Sequence, residues 1–597
     1  MAIDPVVVAL NASGETVAHK IATALGVQLH GRQDRVSKAD AFFGNALEHV
    51  RDLFAAGVPV IGVCASGILI RAVAPLLSDK RREPPVISVS DDGAVVVPLL
   101  GGHRGANRLS AEIASQVSGV AAVTTAGDVA MGVALDVPPA GYRLANPEDA
   151  KGAMAALLSG AGLRVSGDNI FGVEDDGGAV ELAVTEGPLE GSETRLVYHP
   201  QRYALGLGCA RNADPEEMWA LVCKTLAEAE IARGAVACVG SIDLKADEPA
   251  MIEVARRLGV PMRLFTAAEL DAQPVANPSD VVFAEVGCHG VSEGAAMALA
   301  GELVVPKVKT ANCTCAIAGT EQTLTEMNGR ARGRLSVVGI GPGQASWRTP
   351  EVSKLVAEAE ELVGYGLYID LLGPLAAGKQ RSDFPLGGEE ARCRYALEQA
   401  ALGKNVALVC SGDAGIYAMG ALVFELLDRG TDEHGVSDAA HRVEVVCSPG
   451  VSALQGAAAR AGAPLGHDFC TISLSDLLTP RDDILRRLKA AAEGDFVIAF
   501  YNPVSKTRRT LLAQARDILL EHRPADTPVM LASSLGRPEE HVRYRRLDQL
   551  EVDEVDMLTV VLIGSSNSRL AQLGEGPRMF TPRGYARKID GDLAQNG

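Results

Sequence analysis

The sequence predicts an α/β fold built as several domains, with doubly wound α/β domains in the N-terminal half and a separate α/β unit in the C-terminal half. Three observations carry this. Short apolar runs alternate with helical patterns, as in parallel sheets wrapped by helices. The 597 residues are long enough for about four domains. The segment Asn328-Gly-Arg-Ala-Arg-Gly-Arg334 carries glycine and charge with no apolar period, and so marks the main boundary.

In chain order, apolar runs at 6–10, 59–64, 86–89 and 120–125 read as strands, with helical stretches such as 104–118 between them, giving a first α/β domain over 1–140. Residues 141–200 read as an intermediate region, because Gly160, Gly162, Gly167, Gly177, Gly178, Gly187 and Gly191 break any period. A second α/β block over 201–325 opens at Tyr203-Ala-Leu-Gly-Leu-Gly-Cys209. Asp214-Pro-Glu-Glu217 supplies a helix start: a cap, a proline in the first turn, and acids at the positive end of the dipole. Strand and helix alternate again over 333–597, in two lobes of about 333–450 and 451–597, ending in a basic, proline-containing tail.

Hydrophobic residues make up 47% and charged residues 22%, which suits several buried cores and argues against disorder. Lys+Arg 56 against Asp+Glu 75 leaves a formal charge of −19, which repels nucleic-acid backbones and anionic membranes. The basic runs at 80–82, 508–509 and 543–546 are short and read as solvated faces. No nucleic-acid or membrane partner is expected. Met1-Ala-Ile-Asp-Pro-Val-Val-Val-Ala-Leu10 lacks the basic start and long apolar stretch of a secretory signal, and no apolar run reaches membrane-span length, so a soluble, cytoplasmic protein is expected. Eleven cysteines, mostly at the ends of apolar runs, read as reduced, buried thiols. Cys313-Thr-Cys315 lacks the second pair that zinc or iron–sulfur ligation needs, and no metal is expected.

The chemistry concentrates in the C-terminal half. Arg334-Leu-Ser-Val-Val-Gly-Ile-Gly-Pro-Gly343 runs an apolar strand into a glycine-rich turn. A dinucleotide site would need a third glycine opening the crossover helix and an acid about 20 residues on. Here Pro342 interrupts the turn, and the next helix begins near Thr349-Pro350. Cys410-Ser-Gly-Asp-Ala-Gly-Ile-Tyr417 and Phe500-Tyr-Asn-Pro-Val-Ser505 follow as further strand-end loops, which can offer main-chain groups to a ligand without bulky side chains. With Val363-Gly-Tyr-Gly-Leu-Tyr-Ile-Asp370, Ser448-Pro-Gly-Val-Ser-Ala453 and Met579-Phe-Thr-Pro-Arg-Gly-Tyr585, they form an ordered set. Through that set residues 334–590 resemble the tetrapyrrole methylase family, and within it the precorrin-3B C(17)-methyltransferases.

The resemblance implies a two-lobed methylase fold with S-adenosyl-L-methionine held between the lobes. The implied cofactor contacts are Gly341, Pro342, Ser411, Gly412, Asp413, Ile416, Tyr417, Ser452, Ala453, Asn502 and, by a weaker correspondence, Gly536. Asp413 can equally cap a helix starting near Gly415, and Ser452 one after Pro449. The implied reaction moves the sulfonium methyl to carbon 17 of precorrin-3B, with ring contraction as a carbon-20 hydroxyl becomes a ketone. Asp370, Asp383 and Tyr501 are the candidate catalytic residues for its proton transfer, and Asp370 can equally be a structural acid. Ala414 stands where many relatives carry proline. Cobalt-factor III, the metal-containing counterpart, is the alternative substrate, and a homodimer through this half is expected.

Residues up to about 320 resemble the cobalt-precorrin-5A hydrolases, through Gly62-Val-Cys-Ala-Ser-Gly67, Pro98-Leu-Leu-Gly-Gly-His-Arg-Gly-Ala-Asn107, Thr124-Thr-Ala-Gly-Asp128, Gly206-Leu-Gly-Cys-Ala-Arg211, Ser241-Ile-Asp-Leu-Lys-Ala-Asp-Glu248 and Gly290-Val-Ser-Glu-Gly-Ala-Ala296. This implies lactone opening with release of acetaldehyde from a corrinoid intermediate. His103, flanked by glycines and Arg104, is the candidate catalytic residue: it can serve an oxyanion or carboxylate, or only cap its own loop. Cys64 lacks an identifiable base and reads as core. Lys245, Glu248, Glu293, Lys307 and Lys309 are further candidates, each with a salt-bridge or capping alternative. A non-catalytic corrinoid-holding module is the competing reading of this half.

Overall fold

A computed structural model describes residues 3–77, 79, 83–125, 133–505, 508–585 and 588–589. The first sheet contains β1 (Val6–Ala9), β2 (Leu29–Arg32), β3 (Ala41–Phe43), β4 (Val60–Val63), β5 (Val86–Val89), β6 (Val95–Leu100) and β7 (Val120–Ala121), in the order β3-β2-β1-β4-β5-β6-β7. Only β5 and β6 run antiparallel. The winding reverses between β1 and β4, so the loops after these strands diverge and leave a crevice at their carboxyl ends. The run at 120–125 yields only the two-residue β7, and residues 126–128 of the adjoining motif lie outside the described residues.

Residues 141–200 are more ordered than their glycines suggest. β8 (Tyr142–Leu144), β9 (Leu163–Ser166), β10 (Val180–Val184) and β11 (Arg195–Pro200) form a sheet of order β8-β11-β10-β9, backed by helix Ala150–Leu158. Its core includes fully buried Tyr198, whose hydroxyl donates to the Leu135 carbonyl at 2.7 Å. Gly160, Gly167 and Gly177 take left-handed φ in the connections, so they punctuate the strands rather than dissolve them.

The third sheet joins β12 (Tyr203–Cys209), β13 (Val236–Ile242), β14 (Met262–Phe265), β15 (Glu302–Lys309), β16 (Cys313–Gly319) and β17 (Arg330–Ala331), in the order β15-β16-β12-β13-β14-β17. Asp214 caps helix Pro215–Glu228 as its spacing predicts, accepting the Glu216 N–H. The boundary segment is a clamp rather than a bare linker. β17 pairs with β14, Arg330 donates to the Ala401 carbonyl and reaches Asp243, and Arg332 donates to the carbonyls of Arg442 and Val443.

The C-terminal half opens with an all-parallel sheet of β18 (Arg334–Gly339), β19 (Glu361–Tyr365), β20 (Gln380–Phe384), β21 (Asn405–Cys410) and β22 (Glu444–Ser448), in the order β20-β19-β21-β18-β22. A second lobe adds β23 (Gly462–Ala463), β24 (Phe469–Ser473), β25 (Val497–Tyr501), β26 (Pro528–Ser533), β27 (His541–Arg546), β28 (Thr559–Ile563), β29 (Arg569–Leu573) and β30 (Gly576–Phe580). These form a mixed sheet, β24-β25-β28-β26-β27, and a small one, β23-β30-β29.

The two halves are packed together, not merely tethered. Val50, Leu53 and Phe54 of helix Ala46–Ala55, with Leu69 and Val73 of helix Ser66–Val73, share one core with Val352, Leu355 and Val356 of helix Pro350–Glu358 and with Ile369, Leu372 and Leu375. Across this seam Arg348, only 8% exposed, stands 3.7 Å from Asp52 and donates to the Ser353 hydroxyl. Burial pushes the Asp52 carboxyl up, and the guanidinium opposes that shift. Among the described residues no helix is long and apolar enough to cross a membrane.

Candidate functional site

Three loops leave the carboxyl ends of β18, β21 and β22 and meet at glycines. Gly341 and Gly412, both at left-handed φ, exchange backbone hydrogen bonds of 3.1 and 2.9 Å. A Cβ on Gly450 would lie 2.1 Å from the Gly412 carbonyl oxygen and 2.5 Å from that of Gly339, so only glycine admits this approach. Asp413 ties the second loop to the third: one carboxylate oxygen accepts the Gly415 N–H at 2.8 Å, the other the Gly450 N–H at 3.0 Å. The alternative of a helix capped near Gly415 does not hold, since the next helix begins at Gly420. Ser452 does cap helix Ala453–Ala461, in a reciprocal capping box with Gln455.

The other implied contacts gather around these loops. Ser411 follows β21 directly, and a Cβ on Gly412 would stand 3.8 Å from the Ala453 nitrogen, so the segments 411–413 and 452–453 are neighbours. Pro342 is buried, and its carbonyl accepts the Arg537 Nε–H at 3.2 Å. Gly536 lies beside this first loop, 2.8 Å from where a Cβ on Gly343 would sit. The Ile416 N–H donates to the Asp413 carbonyl. Tyr417, 49% exposed, donates its hydroxyl to the Thr471 carbonyl at 2.9 Å. Its ring stands 5.1 Å from that of Tyr501, tilted by 49°. The Tyr501 hydroxyl accepts the Leu454 N–H at 2.9 Å, and burial pushes its phenol up. Asn502, at φ +47, donates to the Ser473 hydroxyl.

Asp370 and Asp383 share a partner that sequence reasoning missed. Arg381 bonds Asp383 at 2.6 Å and Asp370 at 2.7 Å, and donates to the Gly366 carbonyl. The hydrogen bonds to Asp383 and Asp370 raise the guanidinium's pKa further. Arg381 was findable, because it sits two residues before Asp383 on one strand and so shares its face. Thr471 and Arg537 act through main-chain and loop contacts that no local spacing announces. The arrangement offers main-chain groups, an aromatic wall and two anchored carboxylates.

In the N-terminal half, His103 lies in the 3-10 turn Gly102–Arg104, between Gly101 and Gly105 at left-handed φ; its side chain is outside the description. Burial pushes the Cys64 thiol up to about 12, which leaves it a poor nucleophile. Glu248 is fully buried and bonded by Arg211, Lys245 and the Asn212 N–H. Burial also works against ionisation of Glu293, yet the Lys307 N–H and both donors of Asn277 hold it below its ordinary value. Glu248 and Glu293 therefore knit loops, and Lys309 ends exposed on β15. His289, just ahead of one quoted motif, donates Nδ1–H to Asp271 at 2.6 Å and stacks on Phe283. An imidazole so oriented can take a proton on its other nitrogen. Among the described residues no three His, Cys, Asp or Glu side chains cluster as a metal site requires.

Family comparisons divide the chain in the same order. Residues 48–128 match the family described as Cobalamin synthesis G N-terminal, residues 203–318 Cobalamin synthesis G C-terminus, and residues 334–551 Tetrapyrrole (Corrin/Porphyrin) Methylases. A precorrin-3B C(17)-methyltransferase of Sinorhizobium sp is 44% identical over 255 residues, which are 42% of this chain and 98% of that relative. A probable cobalt-factor III C(17)-methyltransferase of Salmonella typhimurium is 43% identical over 251 residues, 42% of this chain and 99% of that one. The crystal structure of the methyltransferase CobJ aligns over 42% of this chain and 100% of its own, at 38% identity and a TM-score of 0.39.

Proposed function

The chain belongs to the tetrapyrrole methylase family, and we propose that its C-terminal half methylates carbon 17 of precorrin-3B or of cobalt-factor III, with contraction of the ring. It joins hydrolase-like domains of the cobalamin synthesis G type to a C(17)-methyltransferase domain of corrinoid biosynthesis. The observation that carries the reading is the 44% identity over 98% of a C(17)-methyltransferase. The glycine-locked loops of this chain support it.

S-adenosyl-L-methionine, the donor in this reading, supplies an electrophilic methyl on a sulfonium. The residues present fit it. The segments 411–413 and 452–453, at the start of helix Ala453–Ala461, offer main-chain groups and a positive dipole end to a carboxylate. The loops of Gly341, Pro342, Asn502 and Gly536, with Ile416, would hold the nucleoside, and Tyr417 and Tyr501 would give a flat ring an aromatic wall. Methyl transfer asks the protein to align the donor with a carbon nucleophile and to exclude water. Ring contraction asks for a base to take the hydroxyl proton as the carbonyl forms and the carbon–carbon bond migrates. Tyr501 is a poor base, because burial raises its phenol. Asp370 and Asp383 take that role in this reading, both held by Arg381.

In the N-terminal half the proposed reaction is attack of water on a ring lactone, with loss of acetaldehyde. His103, from the quoted motif, and His289, bonded to Asp271, are the candidates for its base. A homodimer through the methylase half, in the cytoplasm, completes the proposal. Incubation of the full-length protein with cobalt-precorrin-5A tests the hydrolase. Release of acetaldehyde is expected; tight binding with no release would leave this half a corrinoid carrier.

A further inference from the structure

A cleft in the first domain lies where its winding reverses. It has a volume of about 570 Å³ and is lined by Leu10 after β1, Arg32 at the end of β2, Asn45 and Leu47 after β3, and Ile68 and Arg71 on the helix after β4. Apolar side chains and two guanidiniums line it together. No carboxylate among the described residues pairs with either guanidinium: Arg71 donates to the Gly67 carbonyl of its own helix at 3.0 Å, and Arg32 has no ion pair. In a chain of net charge −19, two cations without an acidic partner meet at one cleft and leave it open to an anion. Phe42 and Ile70 extend the apolar surface nearby, 52% and 49% exposed. Leu47 and Ile68 pack against the same core as Tyr368 and Leu371 of the C-terminal half, so the cleft adjoins the seam between the halves.

We propose that this cleft binds the corrinoid, an oligocarboxylate macrocycle, with Arg32 and Arg71 pairing to peripheral carboxylates and Leu10, Leu47 and Ile68 against the ring. The proposal rests on the reading that the N-terminal half handles corrinoids. Each guanidinium presents a planar fork that matches a carboxylate, which a point charge does not. The crevice at a topological switch point is where open α/β sheets place ligands. A lining that combines guanidiniums with apolar side chains suits a ring whose faces are apolar and whose edge is acidic.

The test uses the full-length protein with dicyanocobyrinic acid, whose peripheral carboxylates are free, and with its methyl ester, which keeps the ring and loses the charges. Equilibrium titration should show one equivalent of the acid weakened about tenfold or more in R32Q/R71Q, with thermal stability and methyl transfer unchanged. On the unaltered protein that equivalent should weaken with rising salt, and the ester should not occupy it. Binding of the acid at wild-type affinity by R32Q/R71Q would overturn the proposal, and so would equal binding of acid and ester. Acetaldehyde release is read separately. Arginine-dependent binding without release would remove the hydrolase reading and leave the cleft assignment standing.

Discussion

At the scale of single residues, the cofactor loops rest on glycines that do different work. Gly412 has room for a methyl group, with nothing nearer than 3.8 Å, but its φ of +71 disfavours any L side chain. G412A should therefore cost about 1–2 kcal/mol in the loop, about tenfold in S-adenosyl-L-methionine affinity, with little change in thermal midpoint. Gly450 has no room, and G450A drives a methyl into two carbonyl oxygens. It should abolish cofactor binding and lower the midpoint as well; calorimetric titration and thermal unfolding of the two variants check the ranking. The carboxylates make a second contrast. D370N/D383N should slow ring contraction by about 100-fold or more while cofactor affinity holds, because neither side chain belongs to the cofactor loops. An unchanged rate would assign both to anchoring Arg381.

Single elements show what was legible in the sequence. The caps at Asp214 and Ser452 could be read, because a cap needs only a polar residue at fixed spacing from the first turn. The helix after Thr349 could be read for the same reason. Asp413 could not: its second bond goes to Gly450, 37 residues away, and only folding brings that N–H into reach. The sheet at 141–200 was hidden, because its short strands lie between glycine turns and pair across distant segments. Also unannounced is the buried contact joining β2 to helix Ala46–Ala55, where His30 Nδ1 and His49 Nε2 lie 2.9 Å apart and Phe43 stacks on His49. Burial lowers His30 from 6.5 to about 4 and His49 to about 3, with Asp40 opposing the shift at His30 and the His30 charge adding to it at His49. Folding thus favours the neutral rings. Their contribution is present above pH 6.5 and is lost as pH falls toward about 4 and then about 3. Urea midpoints of the full-length protein should fall across that window, and H30Q/H49Q should flatten the slope. An unchanged slope would exclude the pair as its source.

At the scale of the whole molecule, the seam between the halves changes what the fusion means. A tether only raises local concentration; a shared core makes each half part of the other's stability. Leu53 sits fully buried in that core, opposite helix Pro350–Glu358. L53A should cost about 2–5 kcal/mol and lower the unfolding midpoint of the methylase half together with that of the first domain. Movement of only the first transition would mean that the seam carries no coupling. The same packing sets the first-domain cleft beside the methylase half. The central claim is methyl transfer to carbon 17. Single-turnover incubation of the full-length protein with methyl-labelled S-adenosyl-L-methionine and precorrin-3B or cobalt-factor III, read by mass spectrometry, tests it most directly. Label in a ring-contracted product of one of the two substrates is predicted; no transfer to either, with the cofactor bound, would contradict it.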